Sequence, residues 1–318
     1  MRILLVKTSS LGDVIHNLPV VSDLLRSFPG AEIDWCVEET LADIPRLHPG
    51  VRTVFPVAVR RWRKHLTQRS TWREMREFRQ KLESSLYDIV LDTQGLLKSA
   101  LIAWQARGNH CGYAAEAARE PLAARFYDFT FVIPRNIHAV QRNRWLAAAA
   151  LDYPVDLPLD YGIVTPEIKS NWLPEERYAV LFSATSRDDK LWDEENWRML
   201  ARALIDRRLI PVLPSGSIAE RQRAERIAAD IPGVVLAPPL NLREMATLTG
   251  RASLAIGVDT GLAHLAAALR VPVIALYITT DPALTGVYGT GFVRNLGEPG
   301  RAPRLDEVLK VVAQALRP

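Results

Sequence analysis

The chain has 318 residues, 48% of them apolar and 24% charged, enough for two packed cores and far from the composition of a disordered segment. Forty Lys and Arg against 36 Asp and Glu leave a formal net charge of +4, so anion binding must come from local clusters rather than from the total. Two cysteines, Cys36 and Cys111, give neither a disulfide framework nor a metal-spaced pair, and no apolar run approaches the ~20 residues of a membrane span.

The first element is a short apolar strand, Ile3–Val6, ended by Lys7. It is too short for a signal-peptide core, so the chain is expected to be soluble or to sit on a membrane surface. Further strands are predicted at Glu32–Val37, Thr53–Pro56, Ile89–Leu91 and Thr130–Ile133, with amphipathic helices at Val14–Ser27, Thr71–Leu86 and His138–Ala150. A linker follows, Leu151–Pro174, with four prolines and little periodicity. The alternation then restarts with strands at Tyr178–Phe182, Ile210–Leu213, Val234–Leu236, Leu254–Val258 and Val273–Leu276. Helices are predicted between them at Asn196–Arg207, Ile218–Asp230, Leu242–Thr249 and Gly261–Leu269, and a last one at Asp306–Leu316. This is an α/β pattern repeated in two halves. Ligands of open parallel sheets bind at the carboxyl ends of strands. Two such sheets facing each other would hold one substrate on each side of a cleft.

Five stretches carry residues suited to chemistry. In "VKTSSLGDVIHNLP" a strand runs through a polar turn, where Gly12 permits tight geometry, into a helix whose start holds Asp13. Asp13 suits a helix cap first, with a general base as the alternative. The turn is not a G-x-G-x-x-G dinucleotide fingerprint, which counts against a dehydrogenase. In "FSATSRDDKLWDEENW" the hydroxyls of Thr185 and Ser186 and the point charge of Lys190 suit a diphosphate; an ordinary charge-balanced surface loop is the alternative. Asp188 and Asp189 are adjacent and lack the Asp-x-Asp spacing of metal-dependent sugar-nucleotide enzymes. "LPSGSIAERQRAERI" places Glu220 just past a strand end, where a carboxylate commonly binds ribose hydroxyls.

"LAIGVDTGLAHLAAAL" runs a strand into Asp259-Thr260-Gly261 and directly into a small-residue helix. Its N-terminus offers free N–H groups and the positive end of a dipole to an anion. His264 shares a helical face with Gly261, although a packed core histidine would look the same. Last, "VRRWRKHLTQRSTWREMREFR" (59–79) sets eight Lys and Arg, including Arg60, Arg61, Arg63 and Lys64, against two Glu, with Trp62 and Trp72 interleaved. Such a segment can grip phosphates or sit at a lipid headgroup layer. Nucleic acid is the weaker partner, because no nucleic-acid-binding motif accompanies the cluster.

Together these stretches, with "LDTQGLLKS" (91–99), resemble the lipopolysaccharide heptosyltransferases, a GT-B family that uses ADP-heptose. Four signatures fall in the family's order along nearly the whole chain. The "VKTSS" turn and the "RRWRK" cluster are closest to the members that add the first heptose to Kdo2-lipid A. The resemblance implies a GT-B fold with two Rossmann-like domains. The acceptor-binding domain would span 1–155, the ADP-heptose-binding domain 167–303, and a C-terminal helix (304–318) would pack back on the first domain. It implies an inverting transfer without metal or other cofactor. Asp13 would be the base. Thr185, Ser186, Lys190, Glu220, Asp259, Thr260, Gly261 and His264 would hold the donor. Arg60, Arg61, Arg63, Lys64, Arg119 and His138 would hold the acceptor. Ser183, Ser186, Leu191 and Ser215 depart from the family pattern, which touches fine donor contacts. A monomer at the cytoplasmic face of the inner membrane is implied, with no nucleic-acid partner. The rival readings are a transferase for a later core acceptor and a non-catalytic nucleotide-binding protein of two α/β domains.

Overall fold

A computed structural model describes residues 1–168, 171–185 and 187–317, and divides them into two units, Met1–Ile163 and Val164–Pro318. In the first, β1 (Arg2–Val6), β2 (Glu32–Glu38), β3 (Val51–Val57), β4 (Leu86–Asp92), β5 (Arg107–Tyr113) and β6 (Phe129–Phe131) pair in the order β3-β2-β1-β4-β5-β6. Every pairing is parallel. Ile3, Leu4, Leu5 and Val6 are all fully buried, with no alternation. That is the mark of a parallel strand covered on both faces.

The helices of this unit are α1 (Leu11–Ile15), α2 (Leu18–Ser27), α3 (Asp43–Arg46), α4 (Val59–Trp62), α5 (Arg69–Glu83), α6 (Leu97–Ala103) and α7 (Ala139–Leu151). The single helix expected over Val14–Ser27 is two. The chain breaks at Asn17, and Pro19, which has no N–H to donate, stands in the first turn of α2. Gly12 lies inside α1 and is not among the positive-φ glycines, so the turn does not need it for backbone freedom.

The second unit has β7 (Tyr178–Phe182), β8 (Ile210–Leu213), β9 (Val235–Leu236), β10 (Leu254–Val258), β11 (Val273–Leu276) and β12 (Val293–Leu296), in the order β12-β11-β10-β7-β8-β9 and again parallel throughout. Counted from its own first strand this is the same 3-2-1-4-5-6 order, the doubly wound arrangement. Its helices are α8 (Glu194–Ile205), α9 (Ile218–Ala228), α10 (Leu242–Gly250), α11 (Gly261–Ala268), α12 (Pro282–Thr285) and α13 (Leu305–Ala315). Val308 and Val312 of α13 belong to this unit's own core, and the helix packs on α8 and β11. A return to the first domain was the expectation for this helix; the contacts named here lie within its own unit.

β5 and β12 were not predicted. "RGNHCGY" and "VRNL" have no apolar run, and β12 lies at a sheet edge where one side needs no covering.

The switch point of each sheet lies between its first and fourth strands. In the first unit that is between β1 and β4; in the second, between β7 and β10. Strand order alone therefore directs attention to the loops after these four strands.

One buried ion pair fastens the frame around the first of them. Arg144 on α7 donates to both oxygens of Asp23 on α2, at 2.6 and 3.0 Å, and to the carbonyl of Leu157. Burial pushes the Asp23 carboxyl up despite the guanidinium. Arg144→Met would leave that carboxylate buried and unpaired. A loss of about 3–5 kcal/mol is expected in urea unfolding, with ADP binding retained by the protein that stays folded.

Candidate active site

At the first switch point the turn after β1 leads into α1, whose N-cap is Ser10. Asp13 closes back on that cap. Its Oδ2 accepts from the Ser10 amide at 2.9 Å and from the Ser10 hydroxyl at 3.0 Å. Its Oδ1 accepts from Arg119 Nη2 at 3.0 Å, across 106 residues of sequence. One oxygen thus fixes the rotamer through the helix start, and the other faces a guanidinium. Burial pushes the carboxyl up, but the charges of Lys7 and Arg119 and the Ser10 amide prevail and hold it at about 2. The stability this adds is complete above the ordinary carboxylate range and is lost as the pH falls through about 2.

Lys7 sits at the end of β1 and is almost fully buried. Its ammonium donates to the Thr93 carbonyl at 2.8 Å and to Asn143 Oδ1 at 3.3 Å, both neutral acceptors. Burial lowers its pKa to about 8, with Asp13 pulling the other way. A small cavity beside the aspartate is lined by Lys7, Asp13, Gln94, Tyr113, Arg119 and Arg142. The Arg142 guanidinium lies 4.8 Å over the Tyr113 ring and donates to the Ala117 carbonyl at 2.7 Å. Three cations around one carboxylate leave room for a second anion.

The loop after β4 holds the turn in place. Asp92 is fully buried; burial raises its pKa against hydrogen bonds from Tyr127 and the Gln94 and Gly95 amides. Gln94 in turn clamps the β1–α1 turn. Its Oε1 accepts from the Thr8 amide, the Thr8 hydroxyl and the Ser9 amide, and its Nε2 donates to the Ser9 carbonyl at 2.8 Å. Gln94→Ala removes all four bonds from the segment that aims Asp13. We expect turnover to fall by about 10- to 100-fold with the donor affinity unchanged, checked by initial rates beside calorimetric ADP binding.

The expected acceptor residues divide. Arg119 is at Asp13. His138 is the N-cap of α7, accepting from the Val140 amide at 3.2 Å, with its ring 5.5 Å from that of His16 just after α1. Arg60, Arg61, Arg63 and Lys64 lie on or just after α4, beyond the carboxyl end of β3. The Arg60 amide donates to Glu38 at the end of β2. Arg61 is engaged by Glu39 and Glu74, which raises its pKa. Arg63 and Lys64 are exposed.

In the second unit the switch-point loops meet. Lys190, in the helical turn Asp188–Lys190, donates to Asp259 Oδ2 at 2.6 Å, and the Thr185 hydroxyl donates to the Asp259 carbonyl at 3.0 Å. Lys190 is therefore half-neutralised and keeps two further N–H donors. Thr260 caps α11 and Gly261 opens it, so the first amides of that helix stand beside the Lys190–Asp259 pair. His264 is buried one turn further on. Ser186 lies outside the described residues.

Glu220, in the first turn of α9, accepts from the Gly216 amide at 2.6 Å, while Ser217 caps the helix through the Glu220 amide. A cavity of about 660 Å³ opens beside this turn, lined by Ser215, Gly216, Ser217, Ile218 and Leu240 among others. Among the described residues no group of three His, Cys, Asp or Glu side chains is placed to hold a metal ion.

Sequence reasoning missed Lys7, Gln94 and Arg142 as parts of the site. Lys7 and Gln94 were inside quoted stretches, but neither burial nor a clamp across 86 residues can be read from spacing.

Comparison with known proteins follows the same lines. A profile of Glycosyltransferase family 9 (heptosyltransferase) matches residues 75–309. Lipopolysaccharide heptosyltransferase 1 of Pseudomonas aeruginosa is 46% identical over 291 residues, which cover 91% of this chain and 82% of that one. The solved structure of E. coli heptosyltransferase WaaC with ADP superposes with a TM-score of 0.91 at 39% identity, covering 99% of this chain and 100% of that one. The same enzyme with ADP-2-deoxy-2-fluoro heptose gives 0.87 at 40% identity, covering 99% and 98%. The fold is of the GT-B type.

Proposed function

The chain belongs to glycosyltransferase family 9, the heptosyltransferases, and on that premise we propose that Asp13 is the base of an inverting transfer from ADP-L-glycero-D-manno-heptose to the Kdo of Kdo2-lipid A. The enzyme is a glycosyltransferase that moves a heptose in the assembly of the lipopolysaccharide inner core. The observation that carries the detailed reading is the ionised Asp13, fixed by Ser10 at a sheet switch point beside a cavity with surplus positive charge.

In this reading the Kdo hydroxyl gives its proton to Asp13 as its oxygen bonds to the anomeric carbon. The bond from that carbon to ADP breaks on the opposite face, which inverts the centre. A carboxylate with so low a pKa is a weak base, so proton removal comes late, once the hydroxyl has acquired positive charge. Negative charge grows on the departing diphosphate. Lys190 and the first amides of α11 receive it, with the hydroxyls of Thr185 and Thr260 beside them and Gly261 allowing close approach; Ser186 is assigned to the donor from the sequence alone. Asp259 orients Lys190, Glu220 holds the ribose, and His264 supports the donor side. The reading needs no metal.

Arg119 and His138 hold the acceptor next to the base, and Arg60, Arg61, Arg63 and Lys64 hold its anionic groups. We place the enzyme, as a monomer, at the cytoplasmic face of the inner membrane. The lipid nature of the acceptor supports this, and no described helix is long and apolar enough to cross a membrane.

The test is ADP release from ADP-heptose with and without Kdo2-lipid A, with the product mass measured. Release that depends on the acceptor, with a gain of one heptose, is expected, and a chelator should leave the rate unchanged. Release of ADP without acceptor at the same rate would indicate a hydrolase instead. ADP binding with no turnover on any acceptor would favour a nucleotide-binding module.

A further inference from the structure

α5 is amphipathic with an unusual outer face. Thr71, Phe78 and Leu82 are buried, and Phe78 packs edge-on to Trp62 at 5.8 Å. An exposed flank, one residue round from Thr71, carries Trp72, 54% exposed, close to Leu66, 49% exposed, in the connection from α4. The two are joined: the Trp72 indole N–H donates to the Leu66 carbonyl at 2.8 Å. The ring therefore projects with its one polar atom already satisfied. It can leave water without stranding a donor.

Around this pair the charges are one-sided. Arg69 and Arg76 flank Trp72 at the i−3 and i+4 positions of α5, and Arg63 and Lys64 precede Leu66; all four are exposed. Among the described residues none of the four has an acidic partner, whereas Arg61, Arg73 and Arg79 are paired with glutamates. Packing within the unit does not need these free cations, and an apolar pair in their midst matches a surface that is anionic outside and apolar beneath.

A second exposed tryptophan gives a contrast. Trp104, 60% exposed at the end of α6, neighbours the segment Pro121–Phe126, which is preceded by the exposed acid Glu120. Exposed Arg107 and Arg125 lie in this region too, but the Trp104 indole N–H makes no hydrogen bond among the described residues and would be stranded on leaving water.

We infer that the α4–α5 connection is the membrane-docking element of this enzyme, with Trp72 and Leu66 entering the headgroup layer of an anionic bilayer and Arg69 and Arg76 pairing with its phosphates, beside the Arg63 and Lys64 that hold the acceptor. The inference rests on the membrane location proposed above and names the surface responsible. The ring of cations supplies long-range attraction, which salt screens, and the two apolar side chains supply the hold.

The experiment is co-sedimentation of the full chain with phosphatidylcholine vesicles, with and without phosphatidylglycerol, over a range of salt. Wild type should bind the anionic vesicles only, and less as salt rises. Leu66→Ser with Trp72→Ser should weaken binding by about tenfold or more. Trp72→Phe, which keeps the ring, should restore most of it, and Trp104→Ser should bind as wild type. On a deacylated, soluble acceptor the double variant should keep its kcat/KM; on acceptor embedded in vesicles it should lose it. Undiminished vesicle binding by the double variant, or loss of binding in Trp104→Ser, would overturn the assignment. So would a change of oligomeric state caused by the double substitution, which would give the face to a second copy of the chain. Turnover of the soluble acceptor reports separately on the transferase reading, so the two can fail independently.

Discussion

Asp13→Asn is expected to lower kcat by about 10²–10⁴-fold while ADP and the donor bind as before. The substitution keeps the side chain's shape, and the amide oxygen can still accept from the Ser10 amide and hydroxyl. It removes the negative charge that Lys7 and Arg119 face, and with it the capacity to take a proton. The loss should therefore fall on kcat and not on donor affinity, which the proposed function assigns to the second unit. Wild-type turnover should show no acid limb from this residue within the ordinary carboxylate range, because Lys7 and Arg119 hold the carboxyl well below it, at about 2. Near-native turnover in the variant would remove Asp13 from the chemistry and leave it as a helix cap.

Lys190→Ala is expected to lower kcat by about 10²–10³-fold and to raise the donor KM as well. The ammonium is held at Asp259, two residues before the start of α11. Its pairing with Asp259 makes the effect larger than the loss of one cation. Without Lys190 the Asp259 carboxylate, mostly buried, would stand unpaired where the diphosphate must bind. Like charge then adds to missing charge. It follows that Asp259→Asn in the Lys190→Ala background should recover part of the donor affinity but little of kcat. Steady-state kinetics in ADP-heptose, with ADP titrations, separate the two effects. If the double variant binds ADP no better than Lys190→Ala alone, the repulsion argument is wrong.

The strands that were readable in the sequence are those whose physics is local. Tyr178–Phe182 and Leu254–Val258 are continuous apolar runs buried on both faces, and their ends were placed correctly. β5 was invisible because its polar residues are satisfied by distant partners: the His110 amide and ring both bond to Asp128, and Asn109 to the Asp88 carbonyl. The helix expected over Val14–Ser27 failed at Pro19, a residue whose warning was available.

For the site, motif and resemblance name candidate residues but not their bonds. Asp13 reads as a cap from its position, and it is one. Its second partner, Arg119, comes from a loop 106 residues away. Lys190 reads from the sequence as a point charge for a diphosphate, and in the fold it is tied to Asp259 across 69 residues. The Lys190–Asp259 pair exists because strand order brings the loops after β7 and β10 together at a switch point, and the Asp13–Arg119 pair because the loop after β5, two strands from β1 in the sheet, reaches the β1–α1 turn. That order is decided by packing of whole sheets, and no window of sequence contains it.

The most direct measurement is a crystal structure with a non-transferable 2-fluoro donor analogue and a Kdo acceptor bound together. The account predicts an Asp13 oxygen within about 3.2 Å of the accepting Kdo hydroxyl, with that hydroxyl on the side of the anomeric carbon opposite ADP. An acceptor bound with its hydroxyl away from Asp13, and another side chain in hydrogen-bond reach of it, would contradict the account.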